Sequence, residues 1–246
     1  MSRLEEAFAN SDPSGRLQAA LSAGLNPSLQ DLDVLVDRCA VEPDFQVREM
    51  LTWVLLRLPR EVVVPRVVAE LTRPESQARS QALHTLSKTR DVSAWPAVAA
   101  RLDDEDDAVV RTAWYAAVAL APESERDWLA DKLAERLGRG DRETQLSLSR
   151  ALAGLGQETI GRVLALAARN NDEAIRQHAA ATERLLHDPN SGFALSLAKA
   201  RREVALGRTR STKGVGQIGL RLLPGRVRFW REGDIHRDPL TKPIRR

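Results

Sequence analysis

The side chains in this sequence that could do chemistry are few, and they are scattered. The four histidines, His84, His178, His187 and His236, lie far apart, and none has a second His or Cys at the spacing a metal site needs. Cys39 is the single cysteine, which excludes an intramolecular disulfide framework and a Cys-rich zinc site. It falls on the apolar face of an expected helix, where a cysteine acts as a small core side chain. The densest carboxylate run, Asp103-Asp-Glu-Asp-Asp107, could attract a cation. It lacks the glycine turn and ligand spacing of a calcium loop and reads as a solvated turn. No glycine-rich phosphate loop and no nucleophile elbow occurs. The expectation is a protein without catalytic residues, metal or cofactor.

A second kind of chemistry is concentrated at the C-terminus. Residues 1–198 carry 23 Lys/Arg against 30 Asp/Glu, a net charge of −7, whereas residues 199–246 carry 14 against 4, a net charge of +10. The high pI therefore belongs to the tail. Residues 189–206 read as a terminal helix and 207–246 as a basic extension, opening on the flexible stretch that holds Arg208, Arg210 and Lys213. Pro224-Gly225 then separates two strand-like runs, which predicts a β-hairpin. Arg221, Arg226, Arg228 and Arg231 interleave there with Phe229 and Trp230, a composition that suits stacking on bases and pairing with phosphates. Three readings stay open for this tail: a contact with nucleic acid or another polyanion, a cap docked on the preceding helices, or an unstructured extension.

Positioning is the business of the rest of the chain, and it is repetitive. Five segments each begin with an acidic residue, followed four positions later by Arg or Gln and then by apolar residues at helical spacing. They are Asp44/Arg48, Glu75/Arg79, Asp107/Arg111, Asp141/Gln145 and Asp172/Arg176. These Arg or Gln positions are 31, 32, 34 and 31 residues apart. A fixed period in this range marks stacked helical repeats. First helices are expected over 29–40, 61–72, 93–102, 124–138 and 158–169, and second helices over 44–58, 75–88, 107–121, 141–155 and 172–187. Residues 1–27 form an N-terminal helical cap and 28–188 an array of about five repeats. Trp114 falls on the buried stripe of its second helix, and Trp95 and Trp128 are expected in the core on first helices. No apolar run approaches the ~20 residues that span a bilayer, and the polar N-terminus has no signal-peptide run. The chain is expected to be soluble and cytoplasmic.

The pattern resembles the short HEAT-like repeats of bacterial proteins, the type also found in phycobilisome lyases. The likeness is carried by Asp44/Val47-Arg48, Asp107/Val110-Arg111 and Asp172/Ile175-Arg176. It implies an all-α, right-handed solenoid in which Asp44, Arg48, Glu75, Arg79, Asp107, Arg111, Asp141, Asp172 and Arg176 form a ladder between adjacent turns. It also implies that the second helices line a concave binding face. On that face Trp53, His84, Tyr115, Arg150 and Arg184 are the candidate contacts for a protein partner of unknown identity, residue types enriched where partners bind.

Alkylpurine DNA glycosylases share this repeat layout. They use a Trp and an Asp one helical turn apart, whereas Trp114 here is followed by Val118 and Trp53 by Arg57. Residues 221–230 also resemble the C-terminal segment of pyridoxamine-phosphate oxidases, but Asp234-Ile-His236 lacks that family's arginine. The expected function is a non-enzymatic scaffold or adaptor with a basic tail; the alternative is a nucleic-acid-binding protein of the glycosylase layout.

Overall fold

The computed structural model describes residues 2–188, and every element within them is helical. The tail positions from Arg208 to Arg231, the expected hairpin and the expected terminal helix lie outside the described residues. The described helices fall into six antiparallel pairs: α1 (Arg3–Phe8) with α2 (Pro13–Leu25), α3 (Leu32–Val41) with α4 (Phe45–Leu55), α5 (Arg60–Ala69) with α6 (Ser76–Thr89), α7 (Trp95–Ala99) with α8 (Asp107–Leu120), α9 (Arg126–Ala134) with α10 (Arg142–Leu155), and α11 (Gln157–Ala167) with α12 (Glu173–His187). The second helices stack on one another in order, α2 on α4, α6 on α8, α8 on α10 and α10 on α12. First helices stack likewise, α3 on α5 and α9 on α11. No described helix is long and apolar enough to cross a membrane.

The reason for stacking is visible in α8. Its Val109, Val110, Ala113, Trp114, Ala116, Ala117 and Leu120 recur at three and four residues and are all buried. One neighbouring helix cannot cover so wide a stripe, so the helix is enclosed by its own first helix and by second helices on either side. The core runs along the array through fully buried leucines such as Leu51, Leu86, Leu120, Leu129 and Leu152. Cys39 and Trp114 lie in it, as does Trp95. Trp128 does not. It is 47% exposed and covers Trp95 edge-on, with ring centroids 6.1 Å apart. The buried stripe of α9 is Leu129, Ala130 and Leu133, which leaves Trp128 just outside it.

The acidic residues expected to form the ladder do other work. Asp44, Asp141 and Asp172 each accept a backbone amide from the first turn of their own helix, of Val47, Thr144 and Ala174 respectively. This is N-capping, which satisfies otherwise free amides. Asp107 is already inside α8; Asp106 is its cap, accepting from Ala108 and Val109. Glu75 occupies the cap position of α6 without a side-chain cap bond and pairs with Arg73 at 3.1 Å. The arginines turn back on their own repeat. Arg48 donates to the carbonyls of Glu42 and Pro43, Arg79 to those of Arg73 and Pro74, and Arg176 to those of Asn170 and Asn171, all at 2.8–2.9 Å. Gln145 manages one such bond, 3.2 Å to Gly140.

Rungs between neighbouring turns come from acids two residues before a cap. Arg79 grips Asp104 through two bonds, of 3.0 and 2.8 Å. Arg16, which follows its cap Asp12 by the same four residues, grips Glu42 at 2.9 and 2.8 Å. Where that position holds Arg73 or Arg139, Arg48 and Arg111 find no acid there. Arg111 also stands one residue further from its cap than the other arginines, and it reaches Thr144 at 3.4 Å and Glu143 at 3.9 Å.

Candidate partner-binding surface

Counting from the observed caps puts the second helices in one common register. The ninth residue after Asp12, Asp44, Glu75, Asp106, Asp141 and Asp172 is Leu21, Trp53, His84, Tyr115, Arg150 and Ala181. Trp53, His84, Tyr115 and Arg150 thus hold equivalent places on α4, α6, α8 and α10, and all reach the surface at least in part. Arg184 is exposed but sits a turn further along α12 and belongs to a different row. One turn after the row come Leu25, Arg57, Lys88, Ala119, Gly154 and Leu185, and one turn before it Glu49, Ser80, Arg111, Leu146 and Gln177 on the last five helices.

Contacts knit this strip together. The Arg57 guanidinium lies over the Trp53 ring at 5.0 Å, and Lys88 reaches across from α6 to the Tyr115 ring on α8 at 5.6 Å. Such cation–aromatic pairs hold the rings in place while leaving the cations hydrated. Tyr115 remains 55% exposed. Trp53 also packs against α2 at Gly24, where an added Cβ would fall 1.9 Å from the ring. His84 Nε2 stands 2.8 Å from Glu49 Oε1, and this contact holds the Glu49 carboxyl below its usual range. Between α10 and α12 the strip opens into a cleft of ≈ 370 Å³, bordered by Arg142, Leu146, Gln177 and Arg184.

Beneath the strip lie two matching hydrogen-bond clamps that sequence reading missed. Gln81 donates to Thr52 Oγ1 at 2.9 Å, Thr85 donates to the Gln81 carbonyl at 2.9 Å, and the two threonine hydroxyls are 3.4 Å apart. Counted from the caps, the same places on α10 and α12 hold Ser149, His178 and Thr182. His178 Nε2 lies 3.0 Å from Ser149 Oγ, Thr182 donates to the His178 carbonyl at 3.0 Å, and Ser149 and Thr182 are 2.8 Å apart. The Gly138 amide donates to His178 Nδ1 at 3.0 Å, so the ring is held neutral with its proton on Nε2. Burial lowers its pKa, and the bond to the Gln145 carbonyl opposes this only in part. The signal was there in principle, as hydroxyl residues recurring at fixed distances from the caps.

Several cations on the first-helix side are paired. Arg66 pairs with Asp33 at 2.6 Å and Asp37 at 2.8 Å; Arg136 pairs with Asp103 and Arg162 with Asp131, both at 2.6 Å. On the second-helix strip, by contrast, Arg57, Lys88, Arg150 and Arg184 make no ion pair among the described residues. No group of three or more His, Cys, Asp or Glu side chains suited to a metal ion occurs among the described residues.

A family model described as HEAT repeats matches residues 32–119. Among solved structures, two engineered proteins from the Northeast Structural Genomics Consortium are 18% and 20% identical, cover 76% and 78% of this chain and 98% of theirs, and both give a TM-score of 0.41. A designed armadillo repeat protein is 13% identical, with 75% of this chain and 98% of that one covered and a TM-score of 0.40. No curated protein matches the chain. The family match spans α3 to α8, and the same capped helix pair recurs before and after it; the described residues form an α-solenoid of HEAT-like helix pairs.

Proposed function

We propose that this protein is a non-enzymatic adaptor that grips a protein partner along the exposed strip of its second helices. The observation that carries this reading is the equivalence of Trp53, His84, Tyr115 and Arg150, nine residues after four successive caps. A stacked array sets such positions about 8–10 Å apart, one per repeat, which is how a solenoid presents a row of contacts to an elongated ligand. The residue types support it: Trp, Tyr and Arg dominate binding energy at protein interfaces. The rest of the array is built to be rigid, with buried ion pairs and hydroxyl clamps, and this favours binding without large ordering costs.

The test is retention of partners by the tagged full chain and by Trp53→Ala/Tyr115→Ala. The double variant should lose a specific partner while Tyr115→Ala alone leaves the melting temperature within a few degrees of wild type. Unchanged retention by the double variant refutes the assignment of the strip.

A further inference from the structure

The charges on the strip specify the chemistry of its ligand, an inference that rests on the function proposed above. Residues 1–188 carry an excess of acid, with 23 Lys/Arg against 30 Asp/Glu. Yet the three turns of the strip on α4 to α12 hold Arg57, Lys88, Arg111 and Arg150 against the single carboxylate of Glu49, and that carboxylate is engaged by His84. Arg184 adds a further cation at the α10–α12 cleft. Arg111 is partly satisfied by Glu143. Among the described residues Arg57 and Lys88 lie over aromatic rings and, with Arg150 and Arg184, make no ion pair, although the same protein pairs Arg66, Lys132, Arg136 and Arg162 on its other side. Unmatched cations beside exposed aromatic rings form a surface complementary to a partner that supplies both acid and apolar groups.

We infer that the strip binds an acidic, extended peptide segment of its partner, with carboxylates meeting Arg57, Lys88 and Arg150 and an apolar side chain lying on Tyr115. The spacing fits. Neighbouring second helices lie about 8–10 Å apart, the reach of about three extended residues, so one acidic residue in three keeps step with the repeats. Arg57 and Lys88 are on adjacent stacked pairs; Tyr115 fills the next place, and Arg150 the one after it. A nucleic-acid backbone is the poorer match. Duplex DNA presents a charge about every 1.7 Å of axis and needs a dense basic track, which these separated cations on an acidic body do not provide. The basic tail, net +10, has the wrong sign to be the occupant of this strip.

The experiment uses the full chain and fluorescein-labelled fifteen-residue peptides of repeating Glu-Glu-Leu, Gln-Gln-Leu and Lys-Lys-Leu, followed by anisotropy across a salt series. A single-stranded oligonucleotide serves as a fourth probe. The chain should bind the acidic peptide about tenfold or more tighter than the neutral one at low salt, with affinity falling as salt rises. Arg57→Glu/Lys88→Glu/Arg150→Glu, all surface changes, should lose that preference by about tenfold, with an unchanged circular dichroism spectrum and melting curve. Equal binding of the acidic peptide by wild type and triple variant would place the attraction on the tail and overturn the inference. Binding of the neutral or basic peptide that depends on Trp53 would keep the strip as a binding surface and refute its acid preference. Oligonucleotide binding lost in the triple variant would assign the cations to phosphate instead. If no probe responds to any strip residue, both the inference and the function beneath it fail.

Discussion

Glu42 offers the sharpest perturbation of the structure, because one carboxylate ties three elements together. It is fully buried and accepts Arg16 of α2 at 2.9 and 2.8 Å, Arg38 of α3 at 2.8 and 2.6 Å, and the Asp44 amide at the cap of α4 at 2.9 Å. Burial by itself raises a carboxyl pKa; here the two guanidiniums and the amide outweigh it and hold Glu42 at about 2, against an ordinary 4.5. A pKa depressed on folding contributes stability that is complete above the unfolded value and is lost as pH falls through the folded one. For Glu42 that window is pH 4.5 down to about 2, and the contribution at neutral pH is about 3 kcal/mol. Glu42→Gln keeps the shape and removes the charge, leaving two guanidiniums without their anion, so the loss at pH 7 should be of that order, about 3–5 kcal/mol. Because repeats touch only their neighbours, the damage should be local. Hydrogen exchange should accelerate in α1 to α4 and stay unchanged in α10 to α12. Denaturation of both proteins at pH 7, 5, 4 and 3 completes the assay, and the gap between them should be constant down to about pH 5 and then shrink. A loss below about 1 kcal/mol at pH 7, or a gap independent of pH, would refute the reasoning.

Three further outcomes are expected. Arg79→Met should cost about 3 kcal/mol, since it leaves the buried Asp104 carboxylate with only the Asp106 amide at 3.1 Å and Arg101 at 3.6 Å, whereas Arg111→Met, whose contacts are long and exposed, should cost less than about 1; comparable costs would mean the rungs carry no weight. Gly24→Ala should destabilise by about 1–3 kcal/mol, because its Cβ meets the Trp53 ring, and the cost should largely vanish in a Trp53→Ala background, as a double-mutant cycle would show. His178 is held neutral with a lowered pKa, so its contribution is complete above about 6.5 and declines as pH falls below that. His178→Gln, patterned on the Gln81 clamp, keeps a donor to Ser149 and should narrow the drop in melting temperature between pH 7 and 5; an identical drop in both proteins would show that the ring does not titrate the fold.

The helical repeat was legible because it rests on local chemistry. Acidic caps, a period near 32 and apolar spacing of three and four are properties of short windows, and they located ten of the helices. The ladder was legible in kind but not in detail. Whether an arginine bridges to the next turn depends on the residue two before the next cap, Glu42 and Asp104 in two places but Arg73 and Arg139 in two others, so the partner is set by stacking rather than by the arginine's own surroundings. Asp106 and Asp107 look alike in the sequence, and the four-residue spacing to Arg111 points to Asp107; hydrogen bonding picks Asp106. Trp128 shows the same limit, since one residue's rotation on α9 separates the core from the surface. Of the candidate contacts, Trp53, His84, Tyr115 and Arg150 fall in one row and Arg184 falls outside it. Arg57 and Lys88 carry no sequence signal of their own, because their importance comes from the rings they cover.

The most direct test of the proposed function is site-specific photocrosslinking on the full chain in its own cell extract. The photoreactive residue p-benzoylphenylalanine is placed at Tyr115, exposed on α8, and separately at Leu166, exposed on the first-helix side in α11. The expected result is a discrete protein adduct from position 115 that is absent from position 166 and is lost on adding Arg57→Glu/Lys88→Glu/Arg150→Glu. An adduct formed equally well at 166, or none at 115, would contradict the proposed function.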